Sequence, residues 1–241
     1  MTPLVFLHGV GGGHHAWDSQ LPYFGGLGYP SHAWDQPGYG HSPTVEPYDL
    51  DRISASLARL IESLADEPVV LIGHSMGGFI AQETYARYPK LIKALALCFT
   101  SPAFGGGSSE FAKQFIAARI APLDQGKTMA DIAVQLIPTM GSNSSLAEKI
   151  MSGVPPETYR KAVHLLTTFD RRKELADIKV PALLIAGSED KTAPPSVMKR
   201  MAQKIPGAEY VLLRDCGHLG PMDHPDAFNA ALLSFLKKNE L

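Results

Sequence analysis

Short, wholly apolar runs alternate with amphipathic stretches along most of this chain. Residues 4–7 (Leu-Val-Phe-Leu), 69–72, 94–99 and 182–186 are apolar without interruption. Runs this short, with no polar alternation, predict strands buried on both faces. Between the first two, residues 49–66 place Leu50, Ile53, Leu57, Leu60, Ile61 and Leu64 at helical spacing, which predicts an amphipathic helix. Residues 16–24 and 77–88 predict two more helices. Residues 31–35 predict a strand, closed by the turn-rich Asp35-Gln36-Pro37-Gly38-Tyr39-Gly40. Strand and helix in alternation, with strands apolar throughout, imply an α/β fold: a mostly parallel sheet with helices on both faces.

The alternation breaks after Thr100. No convincing strand is predicted from residue 102 to 169. Helical patterns stand instead at 111–120, 129–137, 146–151 and 156–169, divided by Gly and Pro. The alternation then resumes, with strands at 182–186 and 209–213 and helices at 195–205 and 225–238. The chain therefore divides into a first part of the core over 1–101, a helical cap over 102–169, and a second part of the core over 170–241. The cap sits inside one sheet and has no linker composition of its own, so it reads as an insertion rather than an independent domain.

Composition narrows the function classes. The 241 residues suffice for one domain with a sizeable core, and 45% hydrophobic with 19% charged residues fits a globular protein. A formal net charge of −2 gives no reason to expect nucleic acid or an anionic membrane as partner. No apolar stretch is long enough to span a bilayer. Residues 1–8 lack a basic start and reach His8 too early for a secretory signal. Cys98 and Cys216 suggest neither a disulfide framework nor a metal site. The expectation is a cytoplasmic protein with no metal site.

The chemistry is concentrated where the strand at 69–72 runs into Gly73-His74-Ser75-Met76-Gly77-Gly78 and the helix at 77–88. This is Gly-x-Ser-x-Gly between a strand and a helix, the setting in which a sharp turn lifts a serine hydroxyl clear of the sheet. Gly73 and Gly77 supply the missing side chains that such crowding demands. A serine hydroxyl is a weak nucleophile near neutral pH and needs a base oriented by a third group. Asp190 follows the strand at 182–186, and His218 follows the strand at 209–213. The order Ser75, Asp190, His218 brings three loops to one sheet edge. Glu189 is the competing acid, because adjacent residues point different ways and only one can meet His218. The other histidines receive plainer roles: His74 packed under the turn, His8 orienting backbone, His14 and His15 solvated, His224 opening the last helix.

An acyl-transfer oxyanion needs two preorganised N–H donors. The residue after the nucleophile, Met76, supplies one, and Val10 in the loop His8-Gly9-Val10-Gly11-Gly12-Gly13 is the candidate for the other. A phosphate-binding reading of that loop lacks the following Gly-Lys-Ser/Thr.

Together these residues resemble the α/β-hydrolase superfamily. The likeness runs over the whole chain, through His8-Gly9, Asp35 to Ser42, Gly73 to Gly78, Gly187 to Pro194 and Gly217-His218. The small cap, with Phe169-Asp170-Arg171-Arg172 and Ala193-Pro194-Pro195, resembles the 3-oxoadipate enol-lactonase and small carboxylesterase group. Such folds begin with two more strands than residues 1–7 provide, so missing or shortened N-terminal strands are expected, and an open edge there would suit a homodimer contact. The resemblance implies a cofactor-free serine hydrolase acting on a small-molecule ester or lactone. Cap residues Phe104, Phe111, Met129 and Ile132 are candidates for the substrate-binding pocket. Arg119, Arg160, Arg171 and Arg172 are candidates to read a substrate carboxylate. Carbon–carbon bond hydrolysis of ring-cleavage products by the same triad, and slow-turnover ligand reception on the same fold, are the alternatives.

Overall fold

The structure, a computed structural model, describes residues 1–105 and 108–241. In chain order the strands are β1 (Leu4–Leu7), β2 (Ser31–Trp34), β3 (Val69–His74), β4 (Ile92–Cys98), β5 (Ala182–Gly187) and β6 (Glu209–Leu213). They form one sheet in the order β2-β1-β3-β4-β5-β6, with every neighbouring pair parallel. β1 therefore lies inside the sheet, and β2 and β6 form its edges. The helices are α1 (Gln20–Gly26), α2 (Leu50–Leu64), α3 (Met76–Arg87), α4 (Ser109–Asp124), α5 (Met129–Leu136), α6 (Ser145–Ser152), α7 (Pro156–Leu166), α8 (Pro195–Ala202), α9 (Gly220–Asp223) and α10 (Pro225–Lys238).

The wholly apolar strands are explained by what covers them. Leu4, Phe6, Val70 and Ile72 pack into one cluster with Trp17, Phe24, Phe228 and Leu232, from the α1 and α10 side. Their neighbours Val5, Leu7, Val69 and Leu71 pack into another with residues of α2, α3 and α8. Successive side chains point to opposite faces, so a strand covered on both sides must be apolar at every position.

Helices α4–α7 fill the chain between β4 and β5. α5 packs on α6 and α4 on α7. Their buried residues join the cluster formed by α2 and α3, so the cap has no separate core. The stretch expected to be one helix at 16–24 divides into a 3-10 turn, His14–Trp17, and α1. Pro22 explains the break: in a continuous helix it would lack its N–H and press on the carbonyl of Asp18. α2 starts where Asp49 accepts a hydrogen bond from the Arg52 N–H, an N-cap at the first residue of the predicted range. Among the described residues no helix is long and apolar enough to cross a membrane.

Candidate active site

Ser75 joins β3 to α3, as the residue before the helix, with φ 54° and ψ −117°. A non-glycine residue there carries strain of about 1–3 kcal/mol, which the surroundings must hold. Its N–H donates to the Cys98 carbonyl at 3.0 Å, and the Thr100 hydroxyl donates to its carbonyl at 2.8 Å. Gly77 lets the helix meet β1: a Cβ there would lie 2.2 Å from the Leu7 carbonyl oxygen. At Gly73 a Cβ would lie 2.5 Å from the Gly77 carbonyl oxygen. Both neighbours are backbone and cannot swing aside.

The turn aims Ser75 Oγ at His218, with Nε2 2.9 Å away. His218 Nδ1 lies 2.8 Å from Asp190 Oδ2. The other carboxylate oxygen, Oδ1, accepts the backbone N–H groups of Thr192 at 2.8 Å and Ala193 at 2.9 Å. Asp190 and His218 are 3% and 2% exposed, so this contact is shielded from water. Glu189 is turned away: its backbone N–H donates to the Cys216 carbonyl and its side chain accepts from Ser188 Oγ. The structure brings together Ser75, His218 and Asp190, and keeps Glu189 out of the group.

His218 is clamped from two sides. Its backbone N–H donates to the Met140 carbonyl of the cap at 2.9 Å. Its carbonyl accepts from His74 Nε2 at 2.8 Å. Burial drives the His74 pKa down to about 3, so this ring is neutral and serves as a donor. His8 is likewise pushed down to about 4 by burial. It donates through Nδ1 to the Gly9 carbonyl and accepts the Gln36 N–H at Nε2. Tyr39 Oη donates to the Val10 carbonyl at 2.7 Å, which completes the pinning of the glycine-rich loop. Neither the Val10 nor the Met76 N–H donates to any protein acceptor among the described residues. His14 pairs instead with Asp35 at 2.7 Å, and His15 with Asp18 at the surface. His224 caps α10 through its backbone position.

Two cavities open on Ser75, of about 50 Å³ and about 400 Å³. Phe104 and Phe111 line the larger one. Met129 and Ile132, expected at the substrate, line neither, and that expectation is corrected here. They belong to the buried stripe of α5 with Ala133 and Leu136, at 4% and 5% exposure, and helical spacing turns them into the cap's interior. Leu136 is the member of that stripe that reaches both cavities. Sequence reasoning missed the Thr192 and Ala193 amides, the Met140 carbonyl and the His74 contact. Only the Asp190-Lys191-Thr192-Ala193 spacing could have signalled any of these, as an aspartate turn.

A strained serine between strand and helix, meeting a buried His–Asp pair across a parallel sheet edge, defines a hydrolase of the α/β class. The chain belongs to the alpha/beta hydrolase family, whose profile matches residues 4–231. It is 30% identical over 254 residues to a Mycobacterium tuberculosis protein provisionally named the non-heme bromoperoxidase BpoC, covering 97% of this chain and 93% of that one. It is 26% identical over 246 residues to the pimeloyl-[acyl-carrier protein] methyl ester esterase of Neisseria meningitidis, covering 97% and 92%. Its fold matches the crystal structure of the enol-lactonase from Burkholderia xenovorans LB400 with a TM-score of 0.84 at 26% identity, over 98% of this chain and 92% of that one.

Proposed function

We propose that this hydrolase cleaves a small carboxylic ester or lactone through an acyl-enzyme on Ser75. His218 takes the proton from Ser75 Oγ as the oxygen attacks the carbonyl carbon. Asp190 holds the imidazole in the tautomer whose Nε2 can accept it, and offsets the positive charge that forms. The N–H groups of Val10 and Met76 receive the oxyanion. His218 then gives the proton to the leaving oxygen, the C–O bond breaks, and water attacks the acyl-enzyme by the same route in reverse.

The continuous hydrogen-bond chain Ser75–His218–Asp190, at 2.9 and 2.8 Å, carries this reading. The two unpartnered amides and the likeness to an esterase and an enol-lactonase support it. A cytoplasmic location belongs to the same reading, supported by two buried, unpaired cysteines.

A panel of short acyl esters, enol-lactones and vinylogous diketones from ring cleavage, assayed with the wild type and Ser75→Ala, tests the proposal. Turnover of an ester or lactone is expected, with a loss of about 10³-fold or more in the variant. Turnover of the diketones alone would favour carbon–carbon hydrolysis; a 28% identical relative from Paraburkholderia phymatum is named a 2-hydroxy-6-oxononadienedioate/2-hydroxy-6-oxononatrienedioate hydrolase. Covalent labelling of Ser75 by a fluorophosphonate, without turnover of any of them, would favour a receptor.

A further inference from the structure

The two cavities at Ser75 differ in chemistry as well as in size. Beside Ser75, His218 and His74, the small one is walled by apolar side chains, Ala16, Ile150, Met151, Leu219 and Met222 among them, and carries no charged residue among the described residues. The large one carries two cations on its walls, Arg119 and Lys191, and no carboxylate. Phe104, Phe111 and Phe115 supply aromatic surface around them.

Arg119 stands apart from the other cap-side arginines. Arg160 is paired with Asp124 at 2.7 Å, Arg171 with Glu83 at 2.7 Å, and Arg172 with Asp170 at 2.5 Å. Arg119 has no carboxylate partner among the described residues. It is held in place all the same. Its guanidinium lies over the Phe115 ring, 5.1 Å from the centroid. It also lies against the phenol of Tyr159, which burial raises and the charge and hydrogen bond of Arg119 lower. A guanidinium has five N–H donors in a planar fork. These contacts orient it without using the fork on an anion. A cation half-withdrawn from water into an aromatic wall, with no counter-ion, gains most from an anion brought by a ligand.

We propose that the substrate is an open-chain ester with two unlike arms. A methyl- or ethyl-sized group fits the small apolar cavity. A longer apolar arm ending in a carboxylate fills the large one, with the carboxylate on the Arg119 guanidinium and Lys191 adding to the positive field. This specificity rests on the serine-hydrolase reading above, because it places the scissile carbonyl at Ser75.

The test compares two matched esters, the monomethyl ester of octanedioic acid and methyl octanoate. Wild type is expected to hydrolyse the acid ester with kcat/KM about tenfold or more above the neutral one, the size of one charge-assisted contact. Arg119→Met should lower that ratio about tenfold, and Arg160→Ala, on an arginine already paired with Asp124, should not change it. A second readout avoids catalysis: octanedioate binding to Ser75→Ala by calorimetry, expected to weaken about tenfold when Arg119→Met is added. If neither ester is cleaved but octanedioate binds through Arg119, the anion site stands and the serine-hydrolase reading fails. The proposal is overturned if wild type cleaves the neutral ester as well as the acid one. It is overturned equally if Arg119→Met lowers both rates in parallel, or if octanedioate binding is indifferent to Arg119.

Discussion

Ser75 sits in a strained backbone conformation that its neighbours hold. At φ 54° and ψ −117° a glycine would rest more easily than any residue with a side chain. Ser75→Gly should therefore be more stable than Ser75→Ala by about 1 kcal/mol, both lacking the hydroxyl, as read by thermal unfolding. Equal stabilities would mean that the turn is not strained at this residue. Asp190 makes a second prediction at the same scale. Asp190→Asn keeps an oxygen for the Thr192 and Ala193 amides but loses the carboxylate that faces His218 Nδ1. Its kcat should fall about 10⁴-fold, while Glu189→Gln, whose side chain faces Ser188, should be nearly silent. The reverse pattern in steady-state kinetics would move the role to Glu189. The sequence made Ser75, Asp190 and His218 legible because each follows an apolar strand run. It could not show the Met140 carbonyl on the His218 N–H, since nothing local marks a pairing between residues 78 positions apart.

At the scale of elements, the site depends on how closely α3 approaches β1 and how firmly the cap presses on the loop after β6. Gly77→Ala would set a Cβ against the Leu7 carbonyl, so backbone would have to move. A destabilisation of about 2–4 kcal/mol is expected, with a loss of hydrolysis in whatever fraction remains folded. Urea unfolding followed by circular dichroism measures it, and a variant of wild-type stability would show that the approach is less tight than the structure has it. Most strand and helix positions follow from apolar spacing, because covered strands and amphipathic helices write their burial into the sequence. Two features did not. Pro22 restarted α1 inside a stretch that periodicity alone made continuous. The cavity-lining side of the cap was not legible either, because Met129 and Ile132 carry the same apolar signal whether a helix stripe faces a cavity or its own core.

Over the whole molecule, the sheet and cap enclose two histidines that cannot accept a proton cheaply. His8 and His74 have pKa values near 4 and 3, against an ordinary value of 6.5. Above about pH 6.5 neither adds to the pH dependence of stability. Below it the unfolded chain binds protons that the folded chain refuses, so stability falls with pH, levelling off only beneath the folded values. Each residue contributes up to about 1.4 kcal/mol per pH unit in that window. His74→Gln, which keeps a donor for the His218 carbonyl, should flatten the slope between about pH 6 and 4.5 by that amount, as measured by urea midpoints. An unchanged slope would mean that His74 is not held neutral.

The central claim is that Ser75, activated by His218 and Asp190, is the nucleophile. It is tested most directly by treating the native protein with a fluorophosphonate and locating the adduct by mass spectrometry. The account predicts a single adduct on Ser75, hydrolysis lost in proportion to labelling, and no labelling in His218→Ala. An adduct on another residue, or full ester hydrolysis by protein whose Ser75 is quantitatively labelled, would contradict it.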